Sequence, residues 1–286
     1  MKSVLVTGAR GALGQALVSR LKQQSATTQI LLTTHTHHGA DYINLDVSDR
    51  EQVKSVIKAT TPDLVIHLAA TLSDNFEQAY AINVEAARHL CDAVLATGHT
   101  TRLVVIGSAA EYGVVQANEN PIKENHLLAP VTLYGMTKAW QTLLAQQYAF
   151  SGVDIVVARI FNLDGPGMSE RLFVGRIQKQ IANILAGRQQ LLEIGPLTAI
   201  RDYISTTGAA ELLLAIAERG KSGHIYHVAS GKQISMRELL GTYLQRNGLD
   251  FSCVLENVGL SKHKGYDVPV IVANMSQSLA LLPGKS

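Results

Sequence analysis

Tyr134 and Lys138 stand four residues apart, so a helix through them presents both side chains on one face. A phenol with its ordinary pKa of about 10 is a poor acid-base group at neutral pH, and a neighbouring ammonium favours its ionised form. The apolar run Leu103–Ile106 leads into Gly107-Ser108, which puts a hydroxyl at the end of a strand where it can share a reacting oxygen with the tyrosine. A Tyr-x-x-x-Lys pair alone is equally a surface helix with a snorkelling lysine. A second cluster about 120 residues upstream changes the balance. Gly8-Ala9-Arg10-Gly11-Ala12-Leu13-Gly14 directly follows the β-branched run Ser3–Thr7. Glycines at such a strand-to-helix turn let backbone amides approach a pyrophosphate at the positive end of the helix, with Gly8, Arg10, Gly11, Ala12, Leu13 and Gly14 forming the cradle. The Gly-x-x-Gly-x-x-Gly spacing differs from the G-x-G-x-x-G pattern and is weak by itself. Together the two clusters predict nucleotide-dependent redox chemistry on a carbonyl or hydroxyl group.

The residues after the second strand bear on which nucleotide. A chain that uses NAD commonly places a carboxylate about 20 residues beyond the glycine loop, to bind the ribose 2′-hydroxyl. Here the strand ends in Thr33-Thr34-His35-Thr36-His37-His38, without an acid. Arg10, inside the loop, can pair a 2′-phosphate with its planar fork, so NADPH is expected over NADH, with Thr34 and His35 at the adenosine end. The three histidines have no companion cysteine or carboxylate at ligand spacing, and no metal is expected. Asp46-Val47 offers a contact to the adenine, although an aspartate there is as readily a turn or helix cap.

These groups need a scaffold that gathers strand ends. Short apolar runs at 3–7, 30–33, 42–45, 64–68, 103–106 and 155–158 alternate with helical patterns, which predicts an α/β fold, a Rossmann-like doubly wound parallel sheet, with a smaller C-terminal substrate lobe. Helices are expected over 171–186, 207–217 and 235–246, and extended pieces over 199–204, 225–228, 251–256 and 268–272. The division reads as residues 1–162 with 200–230 for the cofactor, and 163–199 with 231–286 for the substrate. The chain has 286 residues, 47% of them apolar and 17% charged, and a net charge of +2 with mixed signs. No apolar run approaches the roughly 20 residues of a membrane span, no basic stretch suggests nucleic acid, and no export signal is evident, so a cytoplasmic protein is expected. Cys91 and Cys253 are expected as buried thiols rather than a disulfide.

Further pieces tie the chain to a known family: His67-Leu-Ala-Ala70, Asn83-Val84, Ser108-Ala-Ala-Glu-Tyr-Gly113, Arg159-Ile-Phe-Asn162-Leu-Asp-Gly-Pro-Gly167 and Arg201-Asp-Tyr-Ile204. With the glycine loop and the Tyr134/Lys138 pair they resemble the extended short-chain dehydrogenase/reductases that act on nucleotide sugars, over essentially the whole length. The resemblance implies that Leu68, Ala69 and Ala70 wall the cofactor together with Tyr134 and Lys138, that Asn83 fixes Lys138 through a water, and that Ser108, Asn162 and Arg201 meet the substrate. Arg171 and Lys179 are further candidates for its diphosphate. Sugar 4,6-dehydratases of this family carry acids directly after the catalytic hydroxyl, where this chain has Ala109 and Ala110, and Glu111 is expected to point elsewhere. The segments Phe161–Gly167, Arg171–Ala182, Arg201–Tyr203 and Asp267–Val270 are most similar to the NADPH-dependent 4-keto-6-deoxyhexose reductases. A nucleotide-sugar 4-epimerase holding NAD and a non-catalytic cofactor-binding sensor or scaffold are the alternatives. The resemblance also implies a homodimer through a four-helix bundle of the helices near Phe76–Leu95 and Tyr134–Phe150, with Trp140 and Phe150 contributing.

Overall fold

A computed structural model describes residues 2–36, 39, 41–257 and 268–284; His37, His38 and Asp267 lie outside the described residues. The elements run β1 (Ser3–Thr7), α1 (Ala12–Gln24), β2 (Gln29–Thr34), β3 (Tyr42–Asn44), α2 (Arg50–Thr60), β4 (Leu64–His67), α3 (Phe76–Tyr80), α4 (Ala86–Thr97), β5 (Arg102–Ser108), α5 (Leu133–Phe150) and β6 (Ile155–Ile160). They continue through β7 (Asn162–Asp164), α6 (Phe173–Leu185), β8 (Leu192–Ile194), β9 (Ile200–Ser205), α7 (Thr206–Arg219), β10 (Ile225–Val228), β11 (Gln233–Ser235), α8 (Met236–Arg246), β12 (Val254–Glu256), β13 (Val270–Ile271) and α9 (Ser276–Leu279).

The main sheet is seven-stranded in the order β10-β6-β5-β4-β1-β2-β3, and its pairings are parallel. Strands with both faces covered must be apolar throughout, and every residue of β4 and β6 is buried. One face packs on α1 and α7 through Leu13, Leu17, Leu213 and Ile216, the other on α2 and α4 through Val53, Ile57, Leu90 and Val94. The strand order reverses between β1 and β4, so the connections after those strands part and leave a crevice at their carboxyl ends. This is the predicted α/β doubly wound sheet.

Beyond β6 the chain builds two small sheets, β11-β9-β13 with β7 beside β9, and β12-β8. A separate apolar cluster joins Val174, Ile177 and Ile181 of α6 to Leu239, Leu240 and Leu244 of α8 and to Leu192 and Ile194 of β8. The expected strand over 251–256 is instead a 3-10 turn, Phe251–Cys253, capped by the Asp250 carboxylate on the Ser252 amide, before β12 begins. The expected unbroken helix from Phe76 is interrupted between α3 and α4 by a π-helical turn, Ala81–Glu85. Both cysteines are free thiols; Cys91 is buried, while Cys253 is only half-buried because it sits in that surface turn. Among the described residues no helix is long and apolar enough to cross a membrane.

Candidate active site

At the carboxyl end of β1 the three glycines have different tasks. Gly8 adopts a φ of +66°, and a Cβ there would lie 2.8 Å from the amide nitrogen of Ala69 and the carbonyl carbon of Leu68. A Cβ on Gly14 would stand 2.5 Å from the Gly8 oxygen, so that glycine lets α1 pack against its own loop. At Gly11 a Cβ would make only an ordinary contact, 3.4 Å from the Gly8 oxygen. Gly11 is also the N-cap of α1, with no side chain capping the first amides and no acid in the first turn. Those amides are left for an anion.

The loop opens onto a groove of about 770 Å³. Gly8, Arg10 and Gly11 line it, with Thr34 and His35 at and just beyond the end of β2, Asp46 and Val47 beyond β3, and Leu68, Ala69 and Ala70 beyond β4. Ala12, Leu13 and Gly14 form the first turn of α1 instead. Asp46 serves its own turn, accepting from the Ser48 amide at 2.9 Å and the Ser48 hydroxyl at 2.6 Å. Thr71, Gln78, Ala81 and Ile82, not singled out in the sequence, complete the wall from the π-helical turn and its approach. Among the described residues no set of His, Cys, Asp and Glu is grouped to hold a metal.

Ser108 ends β5 and caps the short 3-10 turn that follows. Its Oγ accepts from the Ala110 amide at 3.2 Å, and Oε1 of Glu111 accepts from the Ser108 amide at 2.6 Å. With its acceptor side engaged, the hydroxyl has its proton to give. Thr132 caps α5 by accepting from the Gly135 amide at 3.0 Å, which sets the helix start one residue before Tyr134. A Cβ on Gly135 would strike the Ala110 oxygen at 2.4 Å. This unpredicted glycine lets α5 lie against the Ser108 turn and brings Tyr134 to Ser108. Asn83, in the π-helical turn, accepts from the Thr71 amide at 2.9 Å and donates to the Thr71 oxygen at 3.0 Å and the Thr137 hydroxyl at 2.9 Å. It thus pins the loop after β4 to α5.

The electrostatics differ from the simple expectation. Burial pushes the Tyr134 phenol up to about 12, and hydrogen bonding with Ser108 only partly opposes it. Burial pulls the Lys138 amine down to about 8, against the attraction of Glu111. Lys138 donates to Oε1 of Gln141 at 2.8 Å. The predicted lowering of the Tyr134 pKa by Lys138 is therefore not a property of the protein alone, because a dry site penalises the phenolate more than its surroundings favour it. It does suit a ligand. A buried ammonium with one acceptor among the described residues keeps two N–H groups that ribose hydroxyls could meet, and this, with the uncapped first turn of α1, fits a dinucleotide.

Toward β9, Asn162 donates to the Asp202 oxygen at 3.1 Å. Arg201 donates to the oxygens of Ile200 at 2.9 Å and Val268 at 2.5 Å, bracing β13. Arg171 is exposed and reaches the Leu72 oxygen at 2.7 Å, while Lys179 lies 3.7 Å from Glu170 at the surface. Glu111 is fully buried, and its Oε2 accepts from Nε and Nη2 of Arg159 at 3.0 and 2.7 Å. Its charge is committed to Arg159 and the Ser108 amide, and the two alanines that follow Ser108 carry no ionisable proton.

Ser108, Tyr134 and Lys138 do not line the groove; they stand at the end of β5 and on α5, which packs on the π-helical turn whose Ala81 and Ile82 do, and a glycine-cradled groove at the switch of a parallel sheet is the arrangement of a dinucleotide-binding fold. The family model described as "NAD dependent epimerase/dehydratase family" matches residues 4–229, and the chain belongs to that family and is an enzyme of its class. It is 28% identical over 244 residues to the GDP-6-deoxy-D-mannose reductase of Pseudomonas aeruginosa, covering 83% of this chain and 77% of that one. It is 27% identical over 253 residues to the dTDP-6-deoxy-L-talose 4-dehydrogenase (NAD(P)(+)) of Kitasatospora kifunensis, covering 86% and 79%. The structure of RMD from Pseudomonas aeruginosa complexed with NADPH superposes with a TM-score of 0.83 at 23% identity, covering 98% of this chain and 92% of that one, and shares its fold.

Proposed function

We propose that this enzyme reduces the C4 keto group of a nucleotide-linked 4-keto-6-deoxyhexose with NADPH. The observation that carries this reading is the turn after Ser108. Ala109 and Ala110 occupy it and Glu111 is locked onto Arg159, so the site holds a proton donor for a carbonyl and no acid-base pair for eliminating water. The two relatives act, by their names, on GDP- and dTDP-linked 6-deoxy sugars, which supports that substrate class. The absence of a carboxylate at the end of β2, with Arg10 on the groove, supports NADPH.

In this reading Gly8, Gly11 and the first amides of α1 hold the pyrophosphate, Arg10, Thr34 and His35 the adenosine phosphate, and Leu68, Ala69 and Ala70 the inner wall. The bound nicotinamide supplies the hydride. Ser108 and Tyr134 donate to the substrate oxygen, and Tyr134 passes its proton to the alkoxide as charge builds there. A phenol held neutral by burial is in the correct form to donate. Lys138 holds the nicotinamide ribose and offsets the phenolate left behind. Of the described residues, 163–199, 231–257 and 268–284 form the substrate lobe, with Asn162 and Arg201 at its edge. The exposed Phe76, Tyr80 and Leu143, with Trp140 edge-on to both aromatic rings, support a homodimer through α3, α4 and α5. A cytoplasmic location fits this chemistry.

The test follows NADPH and NADH absorbance in the presence of GDP- and dTDP-linked 4-keto-6-deoxyhexoses. Substrate-dependent NADPH oxidation is expected, with a loss of about 10²- to 10⁴-fold in Tyr134→Phe. No oxidation with any keto sugar, together with NAD released on denaturation, would establish the 4-epimerase instead.

A further inference from the structure

We propose that Gln141 is a positioning residue for Lys138, its amide oxygen anchoring the ammonium in the dry floor of the site and keeping it charged. The proposal rests on the reading above only in giving Lys138 a part in the reaction. Gln141 follows Lys138 by three residues, so both share the inner face of α5, and each is 1% exposed. Nζ of Lys138 donates to Oε1 of Gln141 at 2.8 Å.

Two features separate this from incidental helix packing. The first is cost: Nε2 of Gln141 is buried with no hydrogen-bond partner, and the neighbouring Thr142 Oγ1 is equally orphaned. A buried amide with half its capacity unmet is unfavourable, and an apolar side chain would pack there without that penalty. The bond to Lys138 is the only side-chain bond of Gln141 among the described residues that offsets it. The second is the set of charged and titratable groups around the ammonium. Glu111, from the turn after β5, attracts it but is committed to Arg159 and the Ser108 amide. His67, at the end of β4, faces it with a ring that burial and the lysine itself keep neutral, its Nδ1 bonded to the Thr7 hydroxyl at 2.8 Å. Tyr134, on the same helix, is a neutral phenol. Gln141 is thus the hydrogen-bond acceptor that the described residues give Lys138, and it uses one N–H of three.

The anchor has a chemical consequence. An amide oxygen accepts a stronger, charge-assisted hydrogen bond from an ammonium than from a neutral amine, so it favours the charged form. It also fixes which way the other two N–H groups face. A carboxylate in its place would hold the ammonium more firmly and compete with the cofactor for it; a thioether or alkyl group would let it discharge near neutral pH.

The test titrates Lys138 directly in the full-length, cofactor-free protein, by NMR of lysine labelled with ¹³C at Cε and assigned through Lys138→Arg. The wild-type midpoint is expected at about 8. Gln141→Met, similar in volume, should lower it by about one pH unit, and Gln141→Glu should raise it by at least as much. NADPH affinity, read by cofactor fluorescence, should fall about tenfold in Gln141→Met at pH 8.5 and recover at pH 6.5, where the amine is charged in both proteins. A residue that only packs would leave the midpoint where it is, and an unchanged midpoint in Gln141→Met overturns the proposal. If Gln141→Met does not fold, an unchanged midpoint in Gln141→Glu does so. Shifted midpoints in a protein that oxidises NADPH with no keto sugar would overturn the reductase reading and leave this assignment standing.

Discussion

Arg159 and Lys138 are cations of equal burial, each 1% exposed, on the adjoining elements β6 and α5, and they are treated in opposite ways. All three nitrogens of Arg159 are engaged. Nε and Nη2 meet Glu111, and Nη1 meets the Tyr112 hydroxyl at 2.7 Å and the Glu124 oxygen at 3.1 Å, while Tyr112 in turn bonds His227 on β10. Burial works against the guanidinium charge, but Glu111 and Tyr112 outweigh it and its pKa rises. Lys138 has one acceptor, burial wins, and its pKa falls to about 8. The contrast teaches that a saturated buried charge is a structural knot, here tying β6, β10 and the Ser108 turn together. An under-saturated one is stability withheld for a ligand.

The largest effect should come from cutting the knot. Glu111→Leu or Arg159→Met alone strands a buried charge and should cost about 3–5 kcal/mol in denaturant unfolding, whereas the double variant should cost clearly less than either. Single variants that lose under about 1 kcal/mol would show the knot to be solvated, and the comparison would lose one of its sides.

The same operation on Lys138 should have the opposite sign. Lys138→Met removes an ammonium that the fold does not satisfy, so stability at pH 7 should rise by about 1–3 kcal/mol while NADPH binding and turnover collapse. The pH dependence provides the check. The folded pKa, about 8, lies below the ordinary 10.5, so between those values the unfolded chain holds more protons. Wild-type stability should therefore climb as pH rises through that window, and in Lys138→Met this contribution to the slope should be absent. A destabilised Lys138→Met protein would mean that the lysine is scaffold like Arg159.

What the sequence disclosed follows the same division. The candidate ligand residues stand in short local patterns, Gly8 to Gly14 after a strand and Tyr134 to Lys138 on a helix, and β1 and β10 begin and end where their apolar runs do. The three-residue β7 and β8 are too short to show an alternating pattern. The π-helical turn was hidden because its cause is tertiary: Asn83 bonding Thr71 and Thr137, which lie 12 and 54 residues away. Gln141 was overlooked because a glutamine on a helix is normally a surface residue, and only burial reveals it. The direction of the Tyr134 shift was missed for the same reason. Proximity to a lysine can be read from spacing, whereas desolvation needs the whole fold.

The smallest effect belongs to the neighbour that lets Lys138 stay unsatisfied without being repelled. His67 is buried, its Nε2 has no partner, and burial, aided by Lys138, lowers its pKa from 6.5 to about 3. A histidine depressed in the fold contributes stability that is present above its unfolded pKa and lost as pH falls toward the folded one, because only the unfolded chain takes up the proton. Thermal unfolding should therefore show the protein losing about 1–2 kcal/mol between pH 7 and pH 5 from this residue. His67→Gln cannot take up that proton, and its loss over the same interval should be smaller by that amount even if it starts from lower stability. Equal slopes in the two proteins would mean that His67 accepts a proton in the folded state. Below about pH 6.5 the ammonium beside it would then face a second cation, and His67 would not be the neutral neighbour that an unsatisfied Lys138 requires.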